Sequence, residues 1–310
     1  MTEADARRGI GFIILSTLIF AAQDGITRHL STAYSPLMVV MIRFWFFAAF
    51  TIALSSRHPG GVKRVAKTHY LWIQIARGLL LITQISMMSL AFVKLGLIEA
   101  HAVGTAYPLI ISALSGPILG ERMGWRRWLA VGVGCVGELI ILQPGFGVFS
   151  VWALLPAGGA FLFALYAILT RYVSAQDSSS TSFFYTGVVG ALGMSAVGFF
   201  FWHPMTGADW AWMLVLCIFS ATGHWCLIRA YTLAEAAAIQ PFAYLQLVWI
   251  AILGVTLFGE VLAPNVILGA ALVVGAGLFT LWRQYKRRRM GDSPITLVDD
   301  SPFPVPRKDG

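Results

Sequence analysis

The feature that most limits what this chain can fold into is a succession of long apolar stretches, nearly free of charge and joined by short polar turns. A helix rises about 1.5 Å per residue, so crossing roughly 30 Å of hydrocarbon takes about 20 residues. Ten stretches meet that length, at about 9–29, 36–55, 70–93, 95–119, 126–142, 151–171, 181–201, 210–230, 234–258 and 264–282. The connections read as turns: SSRHPGG, QPGFG, SAQDSSS and HPMTGAD. Apolar residues make up 58% of the chain and charged residues 12%. Soluble domains carry roughly 45–50% and about 25%, and need polar residues at helical spacing between the apolar ones. The expectation is an all-α polytopic membrane protein.

Other signals agree. Trp and Tyr cluster at the ends of stretches (Tyr34, Tyr70, Trp72, Trp125, Trp128, Trp152, Trp210, Trp212, Trp282), as an interfacial belt requires. With the N-terminus inside, seventeen of the 22 Lys and Arg fall on the inner side, and only Arg28 and Lys94 lie at the outer rim. That asymmetry points to ten helices with both termini cytoplasmic. The net charge of +8 is therefore a matter of loops and tails, with no basic stripe for nucleic acid. The first stretch follows Arg7-Arg8 as a signal peptide would, but it runs on to about His29 and reads as a retained span. Cys135, Cys217 and Cys226 sit in apolar runs without metal spacing and read as small hydrophobes. Residues 290–310 are Pro-rich with mixed charge and read as a disordered cytoplasmic tail.

The chain also repeats itself, loosely. Residues 91–121 slide onto 230–260 at an offset of 139, placing Ala91 on Ala230, Gly120 on Gly259 and Glu121 on Glu260. An offset of 143 places Phe20 on Phe163, Ala21 on Ala164 and Arg28 on Arg171. Residues 1–147 and 148–289 thus read as two five-helix repeats. Five is odd, so the second enters the membrane inverted, which is the plan of secondary transporters with a solute site between the repeats. Chance likeness between apolar helices is the competing reading.

On particular residues the chain resembles the ten-helix, EamA-like branch of the drug/metabolite transporter superfamily. The residues are Arg43-Phe44, the RGLL run from Arg77 to Leu80, the Pro…Gly-Glu pattern ending at Glu121, Trp125, Trp128 and Gly132, and the Gly259-Glu260 echo. The resemblance implies a solute carrier of a bacterial inner membrane that does not hydrolyse ATP. Within that branch Asp24, Arg77–Leu80 and Ala243–Leu247 look most like uptake carriers for riboflavin and S-adenosylmethionine. Riboflavin or a similar flat heterocycle is the leading expectation. Export or exchange of amino acids, S-adenosylmethionine or drugs is the alternative, and a membrane enzyme or scaffold is the second class. No cofactor or metal is expected, the partners are a small solute and the bilayer, and a homodimer is left open.

Ionisable groups at membrane depth are costly and so are functional candidates. Asp24 sits about 22 Å above the inner end of its helix, with Arg43 and Gln84 near the same depth. Asp24 reads as a binder of solute or proton held by Arg43, or as half of a structural pair with Arg28 or Arg43. Arg77 reads as an attractor for an electron-rich solute or as a snorkelling arginine. Near the midplane Tyr107, Tyr166, His224 with Trp225, Gln240, Tyr244 and Gln246 offer rings and amides for a flat ring system. Packing is the competing reading for each. Pro108 and Pro241 disturb the helices at this level. Glu138, among Gly132, Gly134 and Gly137, reads as a helix-packing glutamate. Glu121 and Glu260 read as structural or gating groups, and Glu99 and His101 as surface residues or an outer gate. No Walker motif, Ser-His-Asp set or HExxH occurs.

Overall fold

The computed structural model describes residues 3–119, 125–142, 150–234, 239 and 242–289. All its regular structure is helical: α1 (Glu3–Ala33), α2 (Pro36–Ser56), α3 (Gly61–Val65), α4 (Leu71–Leu95), α5 (Leu97–Gly104), α6 (Tyr107–Leu119), α7 (Trp125–Leu142), α8 (Leu154–Val173), α9 (Ser179–Gly198), α10 (Gly207–Leu233), α11 (Leu245–Phe258) and α12 (Pro264–Arg289). Among the described residues, seven helical segments are long and apolar enough to span a membrane. Three shorter apolar helices, Trp128–Ile141, Leu245–Phe258 and Pro264–Ala276, lie where the fifth, ninth and tenth stretches were expected.

The fourth stretch departs from a single helix. It starts at Gly96, whose backbone (φ 92°, ψ 173°) breaks it from α4, and it breaks again into α5 and α6 around Thr105 and Ala106. Pro108 is the cause of the second break. It has no N–H for the Gly104 carbonyl four residues back, and its ring crowds that carbonyl. The ninth stretch is likewise not one regular helix where it is described: Tyr244 is a turn, and α11 begins only at Leu245.

The helices pack in an order with its own symmetry. α1 lies against α10 and α4 against α8; α1 meets α11 and α8 meets α5 and α6. α2 touches α10 and α9 touches α4, while α2–α9 and α7–α12 pair directly. Exchanging α1, α2, α4, α5–α6 and α7 for α8, α9, α10, α11 and α12 leaves this set of contacts unchanged. The two series interdigitate instead of forming separate lobes. Small residues allow the closest approaches. A Cβ on Gly269 would lie 2.5 Å from the Gly137 carbonyl oxygen, and one on Gly190 would lie 2.2 Å from the Phe44 ring. Gly134 packs against Leu109 in the same way, but a Cβ on Gly132 would meet nothing within 4 Å.

Candidate functional site

The interdigitated helices enclose a central cavity of about 850 Å3, its mouth included. α1 contributes Phe20, Gln23 and Asp24, and α2 contributes Arg43. Gln84, Met88 and Phe92 come from α4, His101 from α5, Tyr107 from α6, and Phe163 from α8. His224 of α10, Tyr244 and Gln246 complete the wall. Most of the wall is apolar ring and methyl surface, with a few convergent polar groups, which is the usual make-up of a small-molecule site. Phe163 meets Tyr107 edge-on at 4.8 Å, Phe20 meets His224 at 4.9 Å, and the His101 ring stacks on Phe92 at 5.2 Å.

Asp24 is the centre of the polar side. Its Oδ1 accepts from Gln23 Nε2 (3.2 Å) and its Oδ2 from Gln246 Nε2 (3.1 Å). His101 Nε2 lies 3.1 Å from the same Oδ2, as an ion-pair contact outside hydrogen-bond alignment. One carboxylate therefore links α1, α5 and α11, elements from both series. Arg43 and Arg28 were the expected partners, and neither pairs with it among the described residues. Arg28 instead pairs with Glu260 and lies 4.4 Å over the Phe258 ring. Arg43 is only 1% exposed, yet its Nε and Nη2 have no hydrogen-bond partner among the described residues.

The two ends of the bundle are tied by different groups. At one end Glu260 Oε1 accepts from the Leu97 N–H and Oε2 from the Ile98 N–H, both at 2.8 Å. A carboxylate there sits at the positive end of α5. At the opposite end Arg77 is wholly buried. Its Nε donates to Thr170 Oγ1 at 3.0 Å, its Nη1 donates to Gln74 Oε1, and its guanidinium lies over the Tyr166 ring at 5.1 Å. Gln74 Nε2 donates on to Asp177 Oδ2 at 2.8 Å, and Asp177 also accepts from the Thr68 hydroxyl and from the His69 N–H (3.1 Å). Burial alone would push the Asp177 carboxyl up, but the donors Thr68, Gln74 and His69 outweigh it and hold the group below its ordinary range.

Several expected site residues thus fall elsewhere. Arg77 and Tyr166 do not line the cavity; they are buried in the packing beside it, and Arg77 does not snorkel. Trp225 is 40% exposed on the outside of the bundle, edge-on to Phe12 at 5.4 Å. Successive residues on a helix turn by about 100°, so His224 and Trp225 cannot face the same way. Asp24, Gln84, Tyr107, Tyr244 and Gln246 do meet around one space. His101, read as an outer surface or gate residue, belongs to that space as well. The break at Gly96 restarts the helix and carries its second turn inward, and no sequence period shows that. Gln240 and Glu121 lie outside the described residues. Glu138 is placed on α7 without a described side chain. Among the described residues no cluster of His, Cys, Asp and Glu could hold a metal ion.

Comparison with known proteins adds a family and a fold. The EamA-like transporter family model matches residues 7–143 and again 150–282. The S-adenosylmethionine uptake transporter of Rickettsia felis is 27% identical over 278 residues, covering 90% of this chain and 94% of that protein. The riboflavin transporter of Vibrio cholerae is 26% identical over 287 residues, covering 91% and 96%. The riboflavin transporter of Rhizobium johnstonii is 28% identical over 287 residues, covering 91% and 93%. A solved chain described as a crystal structure of a protein shares the fold with a TM-score of 0.67 at 18% identity, covering 94% of this chain and all of that one.

Proposed function

This chain belongs to the EamA-like transporter family, and from that premise we propose that it takes up a flat heterocyclic metabolite, riboflavin or a close chemical relative, through the central cavity. It is a multi-pass membrane transporter of a small metabolite and not an enzyme. The observation that carries the finer reading is the composition of the cavity wall. The rings of Phe20, Phe92, Tyr107, Phe163, His224 and Tyr244 surround it, and the amides of Gln23, Gln84 and Gln246 stand between them. Rings supply contact area to a planar solute at little entropic cost, and amides fix its orientation through hydrogen bonds.

We read residues 1–147 and 148–289 as inverted five-helix repeats with both termini cytoplasmic. The two separate matches to the family model and the exchange symmetry of the helix contacts support this reading. The solute then waits between an outer tie at Glu260 and an inner tie at Arg77 and Asp177. Transport consists of releasing one tie while the other holds, as in rocking carriers. S-adenosylmethionine is the second reading, favoured by the Asp24 carboxylate in the wall, which can face a cationic solute.

Expression in bacteria that cannot make riboflavin tests the proposal. Growth on low external riboflavin and accumulation of radiolabelled vitamin are expected, with both falling about ten-fold or more in Tyr107→Ala, where ring contact is removed. Absence of rescue and of accumulated label, with the protein present in the membrane, would remove riboflavin. Uptake of labelled S-adenosylmethionine in the same cells would install the second reading.

A further inference from the structure

We infer that Arg43 is a direct solute contact, whose guanidinium docks a pair of adjacent acceptor atoms on the transported molecule. The pair is either the two oxygens of a carboxylate or the carbonyl and ring-nitrogen edge of a heterocycle. The inference rests on the central cavity being the solute site, and it changes the role expected for Arg43 from a brace for Asp24 to a ligand-binding group.

Three observations carry it. Arg43 lines the cavity from α2 and is almost wholly buried, and its Nε and Nη2 find no acceptor among the described residues. The Phe44 ring, 5.6 Å from its central carbon, accepts no in-plane N–H. The expected counter-ion is also engaged elsewhere. Asp24 spends its oxygens on Gln23, Gln246 and His101 and forms no ion pair with Arg43. Arg28 and Arg77 each leave one nitrogen without a hydrogen bond, Nη1 and Nη2, but both hold polar partners that Arg43 lacks: Arg28 meets Glu260, and Arg77 meets Thr170 and Gln74.

A guanidinium held out of water without acceptors is strongly unfavourable. The unmet groups of the cavity wall thus include the Arg43 donors beside the Gln23 Oε1 acceptor, and a solute that brings acceptors relieves Arg43. The geometry narrows those acceptors. Nε and Nη2 carry two parallel N–H bonds in one plane, a fork that matches two acceptors side by side; both atoms are shut from solvent in this structure, so docking requires the side chain to turn its fork to the cavity. The same fork reads the carbonyl and ring nitrogen of guanine in DNA recognition. Riboflavin offers such an edge at its ring carbonyl and the adjacent N5, and S-adenosylmethionine offers a carboxylate. Lysine carries the charge without the fork and cannot replace it.

The test is binding in detergent by isothermal titration, with three parent probes and three analogues that each lack one or both of the paired acceptors. The pairs are riboflavin with 5-deazariboflavin, S-adenosylmethionine with its decarboxylated form, and tryptophan with tryptamine. Each is titrated into wild type, Arg43→Gln and Arg43→Lys, all checked for a single gel-filtration peak and unchanged helical content. For any parent that wild type binds, both substitutions are expected to weaken binding by about ten-fold to a hundred-fold, the worth of charge-assisted hydrogen bonds. The matching analogue should bind wild type as weakly, and should lose little more in Arg43→Gln. Parent binding to folded Arg43→Gln within two-fold of wild type overturns the inference. So does an analogue that binds wild type within two-fold of its parent, a result that needs no mutant to fold. Binding of tryptophan alone among the parents removes the riboflavin and S-adenosylmethionine readings while leaving the Arg43 comparison intact. A wild type that binds none of the parents overturns both.

Discussion

Glu260 and Asp177 are the carboxylates on which the two ends of the bundle close, and each makes a separate prediction. Replacing Glu260 by Ala strands two backbone donors and the Arg28 guanidinium. The expected cost is about 2–4 kcal/mol, between a lost charged hydrogen bond and a broken buried pair. A lowered melting temperature in detergent would show it. The same change should speed labelling of a Ser89→Cys reporter in the cavity wall by an impermeant thiol reagent added outside. Unchanged labelling would mean that Glu260 caps α5 without closing anything. Glu260→Gln keeps one acceptor oxygen and should fall between. Asp177 has a folded pKa depressed below its unfolded value, so its contribution is present at neutral pH. It is lost as pH falls below about 4, the unfolded value, and through the folded one. Wild type should therefore melt above Asp177→Asn at pH 7, with the gap closing on acidification towards pH 3. A gap independent of pH would assign the stabilisation to shape instead of charge. Single residues were the least legible part of the sequence. Depth along a helix placed Asp24, Arg43 and Gln84 at one level, because rise per residue is fixed. It could not say that Arg77 is spent on Thr170, or that Trp225 faces outward, because helix rotation about its own axis is set by neighbours.

The helices themselves were far more legible, because long uncharged stretches have one way to satisfy their backbone in lipid. α2 begins and ends within a residue of its expected span, and α7 and α10 within three residues. What the apolar pattern concealed was discontinuity. The break at Gly96 falls within a few residues of the boundary between the stretches 70–93 and 95–119, whereas the gap between α5 and α6 lies inside the second of them, where Pro108 gives a local reason for it. The α7–α12 crossing supplies a prediction at this scale. Gly137 and Gly269 each sit against the other's carbonyl oxygen, so a side chain on either must push backbone from backbone. Gly269→Val is expected to destabilise the protein by roughly 1–3 kcal/mol, the cost of overpacking, and Gly132→Val, which meets nothing within 4 Å, to leave the melting temperature unchanged. Equal melting of the two variants would refute the close crossing.

At the level of the whole molecule, the interdigitated contact pattern was only half legible. The loose self-similarity at two offsets announced a duplication. That α1 would settle on α10 and α8 on α4 required the packing itself. The Lys and Arg asymmetry predicts an orientation that single cysteines can check. On a background with Cys135, Cys217 and Cys226 replaced, a cysteine at Thr2 or Ser301 should react with an impermeant reagent only in inside-out vesicles, and one at Ser35 only in right-side-out vesicles. The reverse pattern would turn the carrier over. The Gly96 junction carries a consequence of another kind, for the gene that encodes this chain. Its backbone angles lie where residues with a side chain do not settle, and a Cβ there would come 2.8 Å from Glu260 Oε1. Gly259 also has a positive φ, but it lies in the left-handed helical region that Asn tolerates and has open space around it. In a saturation library selected for transport, codon 259 should return Asn along with Gly. Codon 96 should return only synonymous changes, a column of the mutational map emptied by one missing carbon.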